Sequence, residues 1–260
     1  MGKILLRKLM GALRLLTIVP LPPPEGAEEP EGIPAFFPAV GVLMGAALFI
    51  GGRIALVFWS MDAVAAMVLL GWVAVTGGLH LDGLTDTADG LGGGETREKR
   101  LRIMKDSRIG TFGASALVFS LLLKYSFLGE VETGLLFPIL ICVPAVARSI
   151  LLGGMHLFPS ARPDGMGAFF KKRLRRGDLM AAWAGTGFLV LFLTGPVGIL
   201  VTAAAAGVGW LAAYGMDKLQ GGLTGDSYGA LCEISEIALL AGFTAAQRLI
   251  LFPFWEIFFP

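Results

Sequence analysis

Three aspartates recur at helical spacing close to the end of an apolar stretch. Asp82 and Asp86 are four residues apart and Asp86 and Asp89 are three apart, so all three carboxylates share one face if the segment is helical. Like charges on one face repel unless a cation lies among them, and carboxylate oxygens suit Mg²⁺, which often also holds a substrate phosphate. The alternative is a solvated acidic helix end. His80 precedes the aspartates as a candidate general base or phosphate contact, or as an interfacial ring without chemistry.

Two cations follow in the same polar segment. Lys105 and Arg108 are one helical turn apart, and cations beside metal-binding carboxylates neutralise charge on a transferring phosphoryl group. Gly110 and Gly113 would let phosphate approach a helix N-terminus. The alternative is a plain basic flank of the next apolar stretch. Residues 95–100 are expected to form an ordinary solvated helix. The pattern predicts metal-assisted displacement at phosphorus, with the catalytic residues Asp82, Asp86, Lys105 and Arg108.

Two further polar segments contribute candidate ligand contacts. Arg162 and Asp164 lie in a turn rich in proline and glycine that could present both to a substrate. Thr224 and Asp226 lie in a second glycine-rich segment at 221–230. Together with residues already named, the predicted substrate-binding set is His80, Arg162, Asp164, Thr224, Asp226 and Glu233.

Glu233 has two interpretations that the sequence leaves open. It lies seven residues after Asp226 and three before Glu236, so these carboxylates form a second acidic face if the segment is helical. They could supply further metal ligands or a base for an attacking hydroxyl. Alternatively, they are buried pairing partners of the cations Arg148 or Arg248.

The elements that position these residues must lie in a membrane. Hydrophobic residues make up 55% of the 260 residues and charged residues only 16%, against about 25% in soluble chains. Moreover, 33 of the 41 charged residues fall in 1–33, 80–108, 154–179 and 215–236. A soluble protein must solvate one face of every helix and cannot segregate its charge in this way. The composition therefore excludes a soluble globular enzyme, a disordered chain and a disulfide scaffold.

We expect an all-α polytopic integral membrane protein that forms one membrane-embedded domain over residues 1–260. Windows of about 20 apolar residues predict seven transmembrane helices, with a tight turn at Gly195-Pro196 between the fifth and the sixth. The predicted spans are 34–52, 63–79, 110–128, 135–153, 180–194, 197–214 and 237–255.

The N-terminal segment differs from these spans. Residues 4–19 are apolar but interrupted by Arg7, Lys8 and Arg14, which predicts an interfacial amphipathic helix followed by a proline-rich loop. Seven spans put 1–33 and the loops 80–108, 154–179 and 215–236 on one side of the membrane. These segments contain 17 basic residues, whereas Arg53 and Lys124 are expected near the other side. The positive-inside rule makes the first side cytoplasmic.

The motifs resemble one known family. Residues 80–90, reading HLDGLTDTADG, and residues 104–110, reading MKDSRIG, are similar to those of the cobalamin synthases, the adenosylcobinamide-GDP ribazoletransferases. The segments ARPDGMG at 161–167 and GDSYGA at 225–230 also resemble that family, as do the length and the hydrophobic layout. The likeness therefore runs through most of the chain.

The resemblance implies the last assembly step of vitamin B12 synthesis at the bacterial cytoplasmic (inner) membrane. The hydroxyl of α-ribazole, or of its 5′-phosphate, attacks the corrinoid-side phosphorus of adenosylcobinamide-GDP, and GMP leaves. The resemblance implies Mg²⁺ as cofactor, with Asp82, Asp86 and Asp89 as candidate metal ligands. Lys105 and Arg108 would hold the pyrophosphate. Arg162 and Asp226 would contact substrate.

Two other functions remain as alternatives. CDP-alcohol phosphotransferases use similar chemistry, but their Ala-Arg pair after the first Asp-Gly is absent here. A cation-coupled transporter would use intramembrane carboxylates, whereas these aspartates lie at the ends of spans. The expected partners are the two substrates and membrane lipid, which the basic run at 171–176 would contact. No nucleic acid is expected, and a homo-oligomer is left open.

Overall fold

The computed structural model describes residues 2–22 and 31–247, and in these ranges every regular element is helical. Short 3-10 helices at Ile33–Phe36 and Thr133–Leu135 precede α2 and α7. The α-helices are α1 Gly2–Leu16, α2 Phe37–Ala55, α3 Met61–Thr76, α4 Leu79–Gly93, α5 Arg97–Ile103, α6 Thr111–Glu130, α7 Leu136–Leu157, α8 Met166–Lys172, α9 Arg176–Gln220 and α10 Gly225–Ala246.

The helix lengths confirm an all-α polytopic membrane protein. Five of the described helices are long and apolar enough to cross a membrane, or six if α3 and α4 together form one broken span. The predicted number of seven is therefore not confirmed. Part of the difference between seven and five or six spans comes from α9, which is counted once although the sequence predicts two spans there. Within this 45-residue element, Gly195 has φ 65° and ψ −166°, which is not helical. Because the rings of Trp183 and Trp210 lie 6.2 Å apart, the chain turns back on itself at Gly195, where the sequence predicts a tight turn.

Several predicted boundaries differ from the observed ones. The last helix begins at Gly225 rather than at 237, so 215–236 is not one loop; the part of the predicted span at 248–255 lies outside the described residues. The polar segment 80–108 likewise contains α4 and α5, and 154–179 contains α8. The sequence predicts helices over the aspartates and at 95–100, but none of these polar segments is counted as a span because their charged side chains lower the local hydropathy.

Helix α7 forms the centre of the bundle, since 94% of its apolar window is buried, and it packs against α2, α9 and α10. Small residues make the closest of these approaches possible. A Cβ atom on Gly41 would lie 2.5 Å from the carbonyl oxygen of Pro144, and one on Gly45 would lie 2.0 Å from that of Leu140. The backbones of α2 and α7 therefore touch, as small residues four apart allow in membrane helices.

Helix α1 is a separate amphipathic element, as its sequence predicts. Its residues Ala12 and Leu16 are buried, whereas Ile4, Leu5 and Leu6 are exposed. The chain that follows is tied to the end of α3, because the Ile18 amide donates a 2.9 Å hydrogen bond to the Val75 carbonyl. The C-terminal end of α1 thus lies beside the start of the acidic helix α4.

We expect Gly45→Ala to destabilise the protein by about 1–3 kcal/mol, because the added methyl group overlaps the α7 backbone. Thermal unfolding in detergent micelles measures the effect. The matched control is Gly51→Ala in the same helix, where a Cβ meets nothing within 4 Å. That control should be neutral or slightly stabilising. Equal unfolding temperatures for the two variants would contradict the close α2–α7 contact.

Candidate active site

A glycine corner sets the direction of the acidic helix α4. Thr76 ends α3, and Gly77 and Gly78 follow with φ 61° and 74°, a backbone region that side-chain-bearing residues rarely adopt. The amides of the two glycines donate to Ala74 and Val73, which closes the end of α3. As a result, α4 leaves α3 at an angle of 86° and turns across the bundle.

The first turns of α4 and α10 cross in direct backbone contact. A Cβ on Gly83 would lie 2.6 Å from the carbonyl oxygen of Asp226 and 3.2 Å from the Cα of Gly229. This crossing brings Asp82 and Asp86, one residue before and three after Gly83, to the N-terminal end of α10. The predicted helix over the aspartates is therefore present, and it meets the second polar segment named in the sequence.

Asp226 is held by two neighbours from different segments. Its Oδ2 atom accepts hydrogen bonds from Arg162 NH1 and from the Thr224 hydroxyl, both at 3.3 Å. Thr224 also caps α10 by accepting from the Ser227 amide at 3.1 Å. Arg162 NH2 donates to the Leu101 carbonyl at 2.8 Å. The structure thus unites three segments that are far apart in sequence.

The site carries an excess of negative charge. Asp86 is partly buried and interacts electrostatically with Asp82 and Asp226, and Arg162 is the cation that opposes them. Among the described residues, Asp82 and Asp86 have no hydrogen-bond or ion-pair partner. Carboxylates left in this way at a membrane boundary are costly and are functional by default.

Two cavities meet at Asp82. The first has a volume of about 220 Å³, and its polar wall contains Arg162, Thr224 and Asp226. The second has a volume of about 640 Å³ and is lined by Asp86 and Arg108. Asp82 lines both, so a group bound in either cavity reaches the same carboxylate.

Asp89 occupies a different position from the other two aspartates of α4. Its Oδ2 atom accepts from the Gly110 amide at 2.6 Å and its Oδ1 atom from the Gly113 amide at 2.7 Å, so it holds the first turn of α6. A Cβ on either glycine would lie within 2.5 Å of this carboxylate. The glycine spacing therefore admits a protein carboxylate, where the sequence suggested a substrate phosphate.

The predicted cations Lys105 and Arg108 lie on the exposed loop between α5 and α6. Arg108 lines the second cavity and pairs with Asp106 at 2.7 Å, which lowers the pKa of Asp106 to about 2. Because both side chains of this pair are substantially exposed, the pair is easily exchanged for another anion. Lys105 is exposed and lines neither cavity.

Glu233 lies away from both cavities, inside the bundle. Lys124 Nζ lies 2.7 Å from Glu233 and 2.5 Å from Glu236, and Arg148 NH1 lies 3.2 Å from Glu236. Ser120 donates a further hydrogen bond to Glu233 at 3.0 Å. This geometry matches the pairing interpretation with Arg148, while Arg248 lies outside the described residues. Lys124 is 2% exposed and lies in the second half of α6, buried against α10.

His80 lies between the first cavity and this buried ion network. It is 4% exposed and lines the cavity, so it is not an exposed interfacial ring. Its ring, Cys232 and Glu236 offer ligand atoms within 4.8 Å of one another, the group of three closest to a metal-binding arrangement in the described part of the chain. Lys124 and Arg148 already neutralise this group, which disfavours a cation there.

Two predictions from the turns had different outcomes. Arg162 joins the site as described above, whereas the neighbouring Asp164 is exposed and lines neither cavity. Sequence reasoning missed Leu16 and Tyr228, which also line the first cavity. The amphipathic pattern of α1 and the GDSYGA motif were the available signals for these two residues.

These residues form a candidate site in a membrane protein, where α7 and α9 end and α6 and α10 begin, and its carboxylates and guanidinium groups suit phosphoryl transfer. The chain belongs to the cobalamin-5-phosphate synthase family, CobS, whose profile matches residues 8–244. This confirms the resemblance seen in the sequence.

Relatives of similar length carry a common name. An adenosylcobinamide-GDP ribazoletransferase of Roseiflexus sp. (strain RS-1) is 40% identical and covers 92% of this chain and 90% of its own. One of Desulfitobacterium hafniense (strain Y51) is 39% identical and covers 91% of this chain and 96% of its own. No solved structure matches the chain.

We expect Asp89→Ala to release the first turn of α6, because two charge-assisted hydrogen bonds are lost, each worth about 1.5–3 kcal/mol. Amide hydrogen exchange at 110–114 should accelerate about tenfold or more. Gly113→Ala should have the same effect by displacing the carboxylate. Gly129→Ala in the same helix is the control, since an added Cβ there comes no closer than 3.4 Å to a neighbour. Unchanged exchange in Asp89→Ala would refute the anchoring role.

We expect Lys124→Met to destabilise the protein by about 3–5 kcal/mol, because it leaves Glu233 and Glu236 with one cation between them. Unfolding in detergent measures this loss, and adding Glu233→Gln to Lys124→Met should recover part of it. The control is Lys99→Met, whose exposed pair with Glu95 is worth at most about 0.5 kcal/mol. Equal effects of the two lysine substitutions would show that the buried pair does not stabilise the bundle.

Proposed function

We propose that this chain catalyses the final assembly step of adenosylcobalamin synthesis. It transfers the adenosylcobinamide phosphoryl group from adenosylcobinamide-GDP to α-ribazole, or to α-ribazole 5′-phosphate, and releases GMP. The family membership and the printed name of the relatives support this reaction. The charge segregation of the sequence supports a site that faces the cytoplasm from the bacterial inner membrane.

The observation that carries the proposal is a pair of carboxylates beside Asp226 where two cavities meet: within 2–22 and 31–247, Asp82 and Asp86 have no hydrogen-bond or ion-pair partner. The attacking hydroxyl oxygen forms a bond to phosphorus while the bond from phosphorus to the GMP oxygen breaks. The hydroxyl proton passes to a carboxylate, for which Asp226 is placed because its Oδ1 atom has no partner among the described residues. Arg162 keeps Asp226 oriented.

The residues at the crossing fit Mg²⁺. This ion usually takes one or two carboxylates, water and substrate phosphate oxygens rather than a complete protein cage. Asp82 and Asp86 would hold it, while Asp89, the third candidate, already accepts two backbone hydrogen bonds. When bound, the ion neutralises charge on the phosphates and on the leaving nucleotide.

The cations around the second cavity would bind the diphosphate. Arg108 lines this cavity and can exchange its exposed partner Asp106 for a phosphate oxygen. Lys105, exposed on the same loop, lines neither cavity and would take part only if the loop moved toward the ligand. Basic residues of α1 and of 171–176 would contact anionic lipid.

The alternatives have less support. The carboxylates inside the bundle, Glu233 and Glu236, are paired with Lys124 and Arg148, so they do not offer a transported cation an open site. A CDP-alcohol phosphotransferase would need the Ala-Arg pair that this sequence lacks after Asp82-Gly83.

We expect Asp82→Asn and Asp86→Asn each to lower GMP release by a factor of about 10³ or more, the range for removing a group that stabilises transition-state charge. Both proteins should remain folded, because neither carboxylate pairs with another residue in the part of the chain that the structure describes. GMP release from adenosylcobinamide-GDP and α-ribazole measures the effect, with the exposed Glu95→Gln as an active control. EDTA should silence the wild type and Mg²⁺ should restore it. Activity of both Asn variants close to wild type, or full turnover in EDTA, would contradict the proposal.

A further inference from the structure

The two cavities that share Asp82 differ in their walls. The smaller one is enclosed by side chains from α1, α7, α8 and α10, among them Leu16, Met155 and Phe170. Three of its charged groups, Asp82, Arg162 and Asp226, are neighbours, so they form one polar part of an otherwise mainly apolar wall. It is therefore an apolar pocket that places one polar end of a ligand at the reacting carboxylates, as ligand pockets commonly do.

The larger cavity has the opposite character. It lies between the end of α1, the Gly77–Gly78 corner and the loop before α6, and it is almost three times as large by volume. Its wall contains Asp82, Asp86, Ser107 and Arg108, so carboxylates face a guanidinium group across it. This combination suits a diphosphate with a bound cation rather than an apolar ring.

We propose that the acceptor nucleoside binds in the smaller cavity and that the nucleotide-activated donor lies along the larger one. This inference rests on the proposed function and adds the place of each substrate. The acceptor is a single sugar with one small apolar bicyclic base, which suits the apolar wall of the smaller cavity, whereas the donor carries a charged diphosphate that suits the carboxylates and guanidinium group of the larger one. In-line displacement needs the entering and leaving oxygens on opposite sides of phosphorus, and two cavities that meet at one carboxylate provide that approach.

The reaction balances in this arrangement. The acceptor hydroxyl, at the polar end of the smaller cavity, loses its proton to Asp226 as its oxygen bonds to phosphorus. The GMP oxygen takes the electrons of the broken bond and leaves through the larger cavity beside Arg108.

Cavity-filling substitutions test the assignment with matched pairs. Met166 lines only the smaller cavity and Ile18 only the larger one, and their exposed fractions are almost equal, 67% and 65%. Met166→Trp should raise KM for α-ribazole about tenfold and leave KM for adenosylcobinamide-GDP within about twofold, since filling a pocket by a few carbons costs one to two orders of magnitude. Ile18→Trp should do the reverse. Ala168→Leu, deeper in the smaller cavity, should repeat the effect of Met166→Trp.

Equilibrium binding of α-ribazole alone to the purified full-length protein separates this inference from the proposed function. Weaker binding in Met166→Trp and Ala168→Leu, with unchanged binding in Ile18→Trp, supports the assignment even if no transfer is seen. Active variants in which Met166→Trp raises KM for the donor instead, or in which neither variant of the smaller cavity alters KM or binding of α-ribazole, overturn it while the transferase function stands.

Discussion

Gly83 and Gly229 bring the backbones of α4 and α10 into direct contact, and the position of every acidic group at the site follows from that contact. A side chain on Gly83 would overlap the Asp226 backbone and push the two helices apart. Asp82 and Asp86 would then move away from Asp226. The crossing works against electrostatic repulsion, because it holds three carboxylates together with one guanidinium group to oppose them.

A buried ion network lies farther along α10 and fixes that helix beyond the crossing. Glu233 and Glu236 lie two and three turns beyond Asp226, and Lys124 and Arg148 tie them to α6 and α7. Ion pairs inside a bundle contribute little net stability compared with apolar packing, but a mismatch leaves an unpaired charge that costs several kcal/mol. Such a network therefore penalises any rotation or shift of α10, which would also displace Asp226. We infer that the network fixes the position of α10 along α6 and α7, and with it the position of Asp226.

Much of this arrangement can be predicted from the sequence, and the failures have physical reasons. Spacing alone predicts the helix over Asp82–Asp89, and charge segregation predicts that the polar segments share one side. The sequence does not show what each carboxylate contacts. Asp89 accepts hydrogen bonds from the amides of Gly110 and Gly113, and this contact depends on how α4 and α6 pack together. Nor does the sequence show that Lys124 is buried against α10, because that depends on which helices pack beside α6.

The contacts of Arg97 likewise depend on tertiary packing and not on the local sequence pattern. Residues 95–100 have the pattern of a solvated helix, and the expected i,i+4 pair of Glu95 and Lys99 is present at 3.7 Å. Yet Arg97 donates to the Gln220 carbonyl at 2.7 Å and so joins α5 to the end of α9, next to the segment that carries Thr224. The local sequence pattern therefore predicts the ion pair on the solvated face of α5 but not the hydrogen bond that Arg97 makes to a carbonyl group 123 residues away.

The charged residues of the chain, 21 basic and 20 acidic, therefore include two kinds of group. Arg97, Asp89 and Lys124 hold helices in place, whereas Asp82 and Asp86 have no such partner among the described residues and line the cavities instead.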